Sequence, residues 1–209
     1  MSEPESAFVK LKIGRDALAR WLDAKPSLAS RWHDWRAIGG QWYLEGRHGA
    51  LADASDDALE GIVQGADNRL AHFADNRELL GVLVVQSAEA PELWLSAFEQ
   101  GGETFVAGSL TYSENLEDFL VFLALARGVA DYLDPADHGH AIVHNYLWGS
   151  EEEQGSTAAL EMLPSGVSRL LPETEQPAVA AGFLSVVDAL MDGELPPGFS
   201  VRDELGLAT

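Results

Sequence analysis

The chain has 209 residues, 46% hydrophobic and 9% aromatic, which is ample for a packed core and excludes global disorder. It has no cysteine, so disulfides, thiolate metal sites and cysteine nucleophiles are ruled out. Thirty-four acids against thirteen bases leave a net charge of −21, a field that repels nucleic acid and anionic membrane and attracts basic surfaces.

The imbalance grows along the chain: residues 105–209 carry 17 acids and only three bases, Arg127, Arg169 and Arg202. The opening MSEPESAF lacks an apolar signal core, and no apolar run is long enough to span a bilayer, so a cytoplasmic protein is expected. Residues 1–7 read as a flexible tail. From Phe8 to Ile13, lysines alternate with apolar residues, the period of a half-buried strand. Gly14 breaks it, and Asp16 is placed to cap a helix with Leu18, Trp21 and Leu22 on one face. Lys25-Pro26-Ser27 separates it from a second helix carrying Trp32 and Trp35, which Gly39-Gly40 stops. Gln41 to Glu45 reads as a short strand and Arg47-His48-Gly49 as a loop. Ser55-Asp56-Asp57 opens a helix that Gly61 and Gly65 weaken. Ala66-Asp67-Asn68-Arg69 recurs as Ala74-Asp75-Asn76-Arg77, two helix or turn boundaries of similar chemistry rather than a repeat architecture.

Leu79 to Gln86 reads as a buried strand, Ser87 to Pro91 as a turn and Leu93 to Phe98 as the next strand. Gln100-Gly101-Gly102-Glu103 suits a hairpin turn into a strand from Thr104 to Tyr112. Ser113 caps a helix that is apolar nearly all round and ends near Tyr132. Two more strands follow, His140 to Trp148 and Thr157 to Leu163, around the charged loop Glu151-Glu152-Glu153. Pro164 to Pro177 is turn-rich, and Pro177 to Met191 forms the last helix. The order predicts an α+β fold with a mainly antiparallel sheet (a meander) and helices packed on one face. One domain over 8–192 is expected, followed by a C-terminal tail over 193–209.

Three of the six histidines lie in DPADHGHAIVHNYLWG, residues 134–149. On a strand His138, His140, His144, Tyr146 and Trp148 share a face, with residues two apart separated by about 6.6 Å. His138 and His140 are therefore the candidate metal pair for zinc or another divalent ion. Asp134 or Asp137 would supply a further donor, and His144 lies too far along. Without such a donor they are imidazoles on an amphipathic strand, and no cofactor is needed.

No catalytic set is legible. Gly-x-Ser-x-Gly, the phosphate-binding Gly-Lys-Ser/Thr loop and His-Glu-x-x-His are all absent. His33 and Asp34, adjacent on a helix, would point about 100° apart, so they form no dyad. Trp32 and Trp35 are expected in the core, with Arg31 and Arg36 in solvent. What remains is an acidic binding protein for a basic partner, most concretely an immunity-type inhibitor of a bacterial toxin such as a nuclease. Asp131, Asp134, Asp137 and Glu151, Glu152, Glu153 would form its surface, with Tyr146 and Trp148 as aromatic anchors. A metal-dependent hydrolase at His138/His140 and a non-catalytic adaptor domain are the alternatives.

Overall fold

The computed structural model describes residues 3–86, 93–99, 103–148 and 155–200. It has the expected α+β architecture with an antiparallel sheet. Strand β1 (Glu5–Lys12) lies at its centre, between β5 (Thr104–Ser113) and β6 (His138–His144). Beyond β5 come β4 (Trp94–Glu99) and a two-residue edge strand, β9 (Phe199–Ser200). Beyond β6 come β7 (Ser156–Leu163) and β8 (Val167–Leu170). Every pairing in this sheet is antiparallel. Both expected tails are shorter than the sequence suggests. Residues 5–7 belong to the central strand, with Ala7 only 1% exposed, and Phe199 pairs with Glu99.

Alternation along β1 sends Ala7, Val9 and Leu11 to one face and Phe8 to the other. The first face packs on helix α4 (Leu116–Gly128), which is buried all round as its composition predicts. Asn115, not Ser113, caps it, accepting from Glu117 N at 2.9 Å. Around α4 lie α1 (Arg15–Leu22), α2 (Asp56–Leu70) and α3 (Asn76–Gly81). Gly61 and Gly65 do not stop α2: Ser55 caps it, accepting from Ala58 N at 3.1 Å, and Gly65 lies close against Glu117 of α4. The second face is covered by α5 (Gln176–Ala181) and α6 (Leu184–Met191), through Phe183, Val186, Val187 and Leu190. Helices therefore lie on both faces, not one. The physical reason is that Phe8, Val106, Leu110 and Ile142 make the second face apolar as well, and it needs its own cover.

Four local expectations fail. Leu79 to Gln86 is not a strand: α3 runs into a π-helical turn, Val82–Gln86. Asp75 and Glu78 make a reciprocal cap, Asp75 accepting from Glu78 N at 2.8 Å and Glu78 from Ala74 N at 2.9 Å, and a continuous apolar run has no period to oppose it. The second tryptophan segment is two single 3-10 turns, Ala29–Arg31 and Trp35–Ala37, rather than a helix. Arg47–Gly49 is β3, paired with β2 (Trp42–Leu44) in a separate hairpin. Its turn places Glu45 and Gly46 at positive φ. The last helix is broken between Ala181 and Leu184. The expected turns at Ser87 to Pro91 and at 100–102 lie outside the described residues.

Candidate functional site

Strand β6 carries His138 and His140 on the second sheet face, as the alternation predicts; their ring centroids are 6.5 Å apart. The register with β1 places Lys12 opposite His138 and Lys10 opposite His140. Two permanent cations beside the imidazoles oppose a dication, and among the described residues no group of three or more His, Asp or Glu could hold a metal ion. The residues present do not fit the zinc site considered from sequence. Asp137 is 7% exposed and turned the other way, accepting from Asp134 N at 2.9 Å to close the turn before β6. Burial holds His140 below the ordinary imidazole range; His138, Arg169 and Lys10 add to this, and Glu161 opposes it.

Lys10, Lys12, His138 and His140 line the floor of a cavity of about 840 Å³. Helix α5 and the segment after it supply an apolar wall, Ala178, Val179 and Phe183. Glu99 and Glu103 stand at the β4–β5 side. Sequence reasoning singled out the histidines but missed the lysines. The alternation of Lys10 and Lys12 was visible, but their placement opposite two histidines depends on a pairing between residues some 130 positions apart.

His144, at the far end of β6, lies under α5 in another cleft, with Tyr146 4.1 Å away ring to ring. Its Nδ1 is 2.8 Å from Ser156 Oγ, and burial pushes its pKa down to about 4. The folded state thus resists protonation that the unfolded chain accepts near pH 6.5. The stability this provides is complete above that value and is lost as pH falls toward 4. The expected loss is on the order of 2 kcal/mol, reduced from the full linkage value because one ring edge meets the open cleft. Denaturant unfolding of wild type and His144→Asn at about pH 7 and about pH 4.5 measures it. Wild type should lose more than the variant, and equal losses would remove His144 from the account.

The surface expected to bind a partner is not one surface. Asp131 is held by Arg31 in a two-pronged pair at 2.5 and 2.8 Å. Asp134 is exposed in the turn before β6. Tyr146 is 8% exposed with its hydroxyl donating to Ala180 O at 2.9 Å, and Trp148 is half-buried with Nε1 donating to Pro4 O. These aromatics lie past the other end of β6, about 20 Å from the aspartates by strand rise, and are internal anchors. Glu151, Glu152 and Glu153 lie outside the described residues.

Acid and exposed aromatic do meet elsewhere. On the β2–β3 hairpin, Tyr43 is 67% exposed, the most exposed large hydrophobic side chain among the described residues. It borders a groove of about 350 Å³ with Leu44, Ile62 and Leu116, edged by Glu114 and Glu117. Asp53, Asp57 and Glu60, exposed before and within the first turns of α2, continue the acidic surface nearby. Six arginines (Arg31, Arg36, Arg69, Arg77, Arg127 and Arg169) are each spent in an intramolecular ion pair. Much of the chain's scarce positive charge is thus matched within the chain, and no described helix is long and apolar enough to cross a membrane. Compared with known proteins, the chain matches no family model, no curated protein and no solved structure.

Proposed function

We propose that this chain is a non-catalytic binding protein whose acidic exterior docks a basic protein partner. The observation that carries the reading is Tyr43, 67% exposed on the hairpin with its ring edge-on to His48, lining a groove of mixed polarity that Glu114 and Glu117 edge. An aromatic anchor beside carboxylates matches an arginine- or lysine-bearing surface: the ring packs on the aliphatic stem or guanidinium face, and the carboxylates meet the charge. The net charge of −21 adds long-range attraction to such a partner. The most specific form of the reading is an immunity-type inhibitor that covers the basic active face of a toxin, such as a nuclease. The docking surface is then the hairpin with the starts of α2 and α4, rather than the aspartates around β6.

Titration calorimetry against the basic protein encoded beside this chain in its host tests the reading. Affinity should fall at least about tenfold from low to high salt, because screening removes the attraction between exposed charges. Tyr43→Ala should weaken binding by about 2 kcal/mol, roughly thirtyfold. Salt-independent binding, or an affinity indifferent to Tyr43→Ala, would overturn it.

A further inference from the structure

We propose that the cavity between the outer rungs of the second sheet face and helix α5 binds a small amphipathic anion, a carboxylate or phosphate group carried on a compact apolar body. The first argument is the composition of the floor. The chain has three lysines, and two of them, Lys10 and Lys12, line this one cavity. The register sets each directly opposite a histidine, Lys10 to His140 and Lys12 to His138. An imidazole carries no negative charge to neutralise the lysine opposite it. Among the described residues neither lysine is ion-paired; Lys10 Nζ reaches only the Gly182 carbonyl, at 3.4 Å. Two lysines held in a concavity without an ion pair, in a chain with 34 acids, leave their charge available to a ligand.

The second argument is shape. At about 840 Å³ the space is of small-ligand size. Val179 and Phe183 offer an apolar wall opposite the cationic floor, so one end of a ligand meets charge and the other meets hydrocarbon. Among the described residues, Glu99 and Glu103 at the β4–β5 side are the carboxylates lining the cavity. They fix polarity: the anionic head settles toward β6, away from them. They also disfavour extended polyanions, which would have to pass both carboxylates. The row continues on the β7 side as Arg169, which pairs with Glu161 at 2.9 Å and with Glu175 at 3.1 Å and so adds no free charge to the floor. This inference stands apart from the docking reading, because the cavity lies on the second sheet face and the Tyr43 groove beside α2 and α4 on the first.

The test is nuclear magnetic resonance titration of the full chain with octanoate, octyl phosphate and neutral octanol. Octanoate and octyl phosphate should shift the amides of Lys10, Lys12, His138 and His140. They should also bind at least about tenfold more tightly than octanol, the difference being the contribution of the charged head. A Lys10→Gln/Lys12→Gln variant that keeps its circular dichroism spectrum should lose that advantage. Val179→Ser should weaken all three probes together. Equal affinity for octanoate and octanol, no shifts at these amides, or unchanged octanoate binding in a folded double-lysine variant would each overturn the proposal. So would binding to anionic vesicles without any response to the free probes, which would assign the lysines to a membrane surface instead.

Discussion

Replacing Gly108 by alanine should destabilise the protein by about 3 kcal/mol, which for a chain of this size corresponds to roughly a 10 °C fall in melting temperature. The sign makes this result informative. Gly108 has no left-handed backbone requirement, so alanine, with fewer unfolded conformations to lose, would ordinarily stabilise the chain by a few tenths to 1 kcal/mol. The close approach of β1 reverses this. A Cβ at position 108 would lie 2.3 Å from the Ala7 carbonyl oxygen, 2.3 Å from Phe8 Cδ1 and 2.8 Å from Phe8 Cα. Phe8 is the register partner of Gly108, and its ring occupies the space a side chain would need. That ring is itself fixed, stacked on Phe183 at 5.9 Å and set edge-on to Tyr146 at 6.2 Å. Relief therefore requires the central strand to move. Phe8→Leu in the same chain should recover only part of the loss, since the backbone contacts remain. Gly61→Ala is the control: nothing lies within 4 Å of its Cβ on α2, and a gain of about 0.5–1 kcal/mol is expected. Thermal and denaturant unfolding of the three variants measures these effects, and a neutral or stabilising Gly108→Ala would show that β1 is not held this tightly.

Asp34→Ala should cost about 3 kcal/mol, the second largest effect expected. Arg127, in the last turn of α4, is 2% exposed. Its guanidinium donates to both Asp34 oxygens, at 2.7 and 3.0 Å, and to the Ser168 hydroxyl and carbonyl at 3.1 and 3.2 Å. It also lies 4.9 and 5.0 Å from the rings of Trp32 and Trp35. Removing the carboxylate strands a cation in the core with only Ser168 to satisfy it. The estimate stands at the low end for a buried pair because Asp34 is 42% exposed and water partly replaces it. Burial pushes the Asp34 carboxyl up, but Arg127 outweighs it and holds the group below the usual carboxylate range. The pair's contribution is therefore present above about pH 4 and lost below it. In a double-mutant cycle with Arg127→Met, the two losses should fall short of additivity by at least about 1 kcal/mol. Strict additivity would mean the pair carries no coupling.

The same pair shows where sequence reasoning stopped. Arg31-Trp32-His33-Asp34-Trp35-Arg36 was expected to bury its tryptophans and leave its charges in water. Trp35 is buried and Trp32 half-buried, but Asp34, Arg31 and Arg36 find partners at Arg127, Asp131 and Asp56, between 20 and 100 positions away. No local spacing encodes such partners. The same limit separated the two cationic strands of the cavity and scattered the aspartates and aromatics that had been read as one binding surface. Adjacency in sequence put Asp137 and Tyr146 together; strand rise set them far apart, and burial gave both internal tasks.

What the sequence determined by itself was set by short-range physics: the α+β class, β1 from its alternation, the all-round apolar α4, the cap at Ser55, and the shared face of His138 and His140. Each follows from backbone period or hydrogen bonding within a few residues. Only the tertiary structure decided that β1 lies at the sheet centre, that both faces carry helices, that Lys10 and Lys12 meet the histidines, and that the exposed Tyr43 lines one groove with Glu114 and Glu117. Those outcomes depend on strand register and on which apolar faces find each other, sums over contacts between residues distant in the chain.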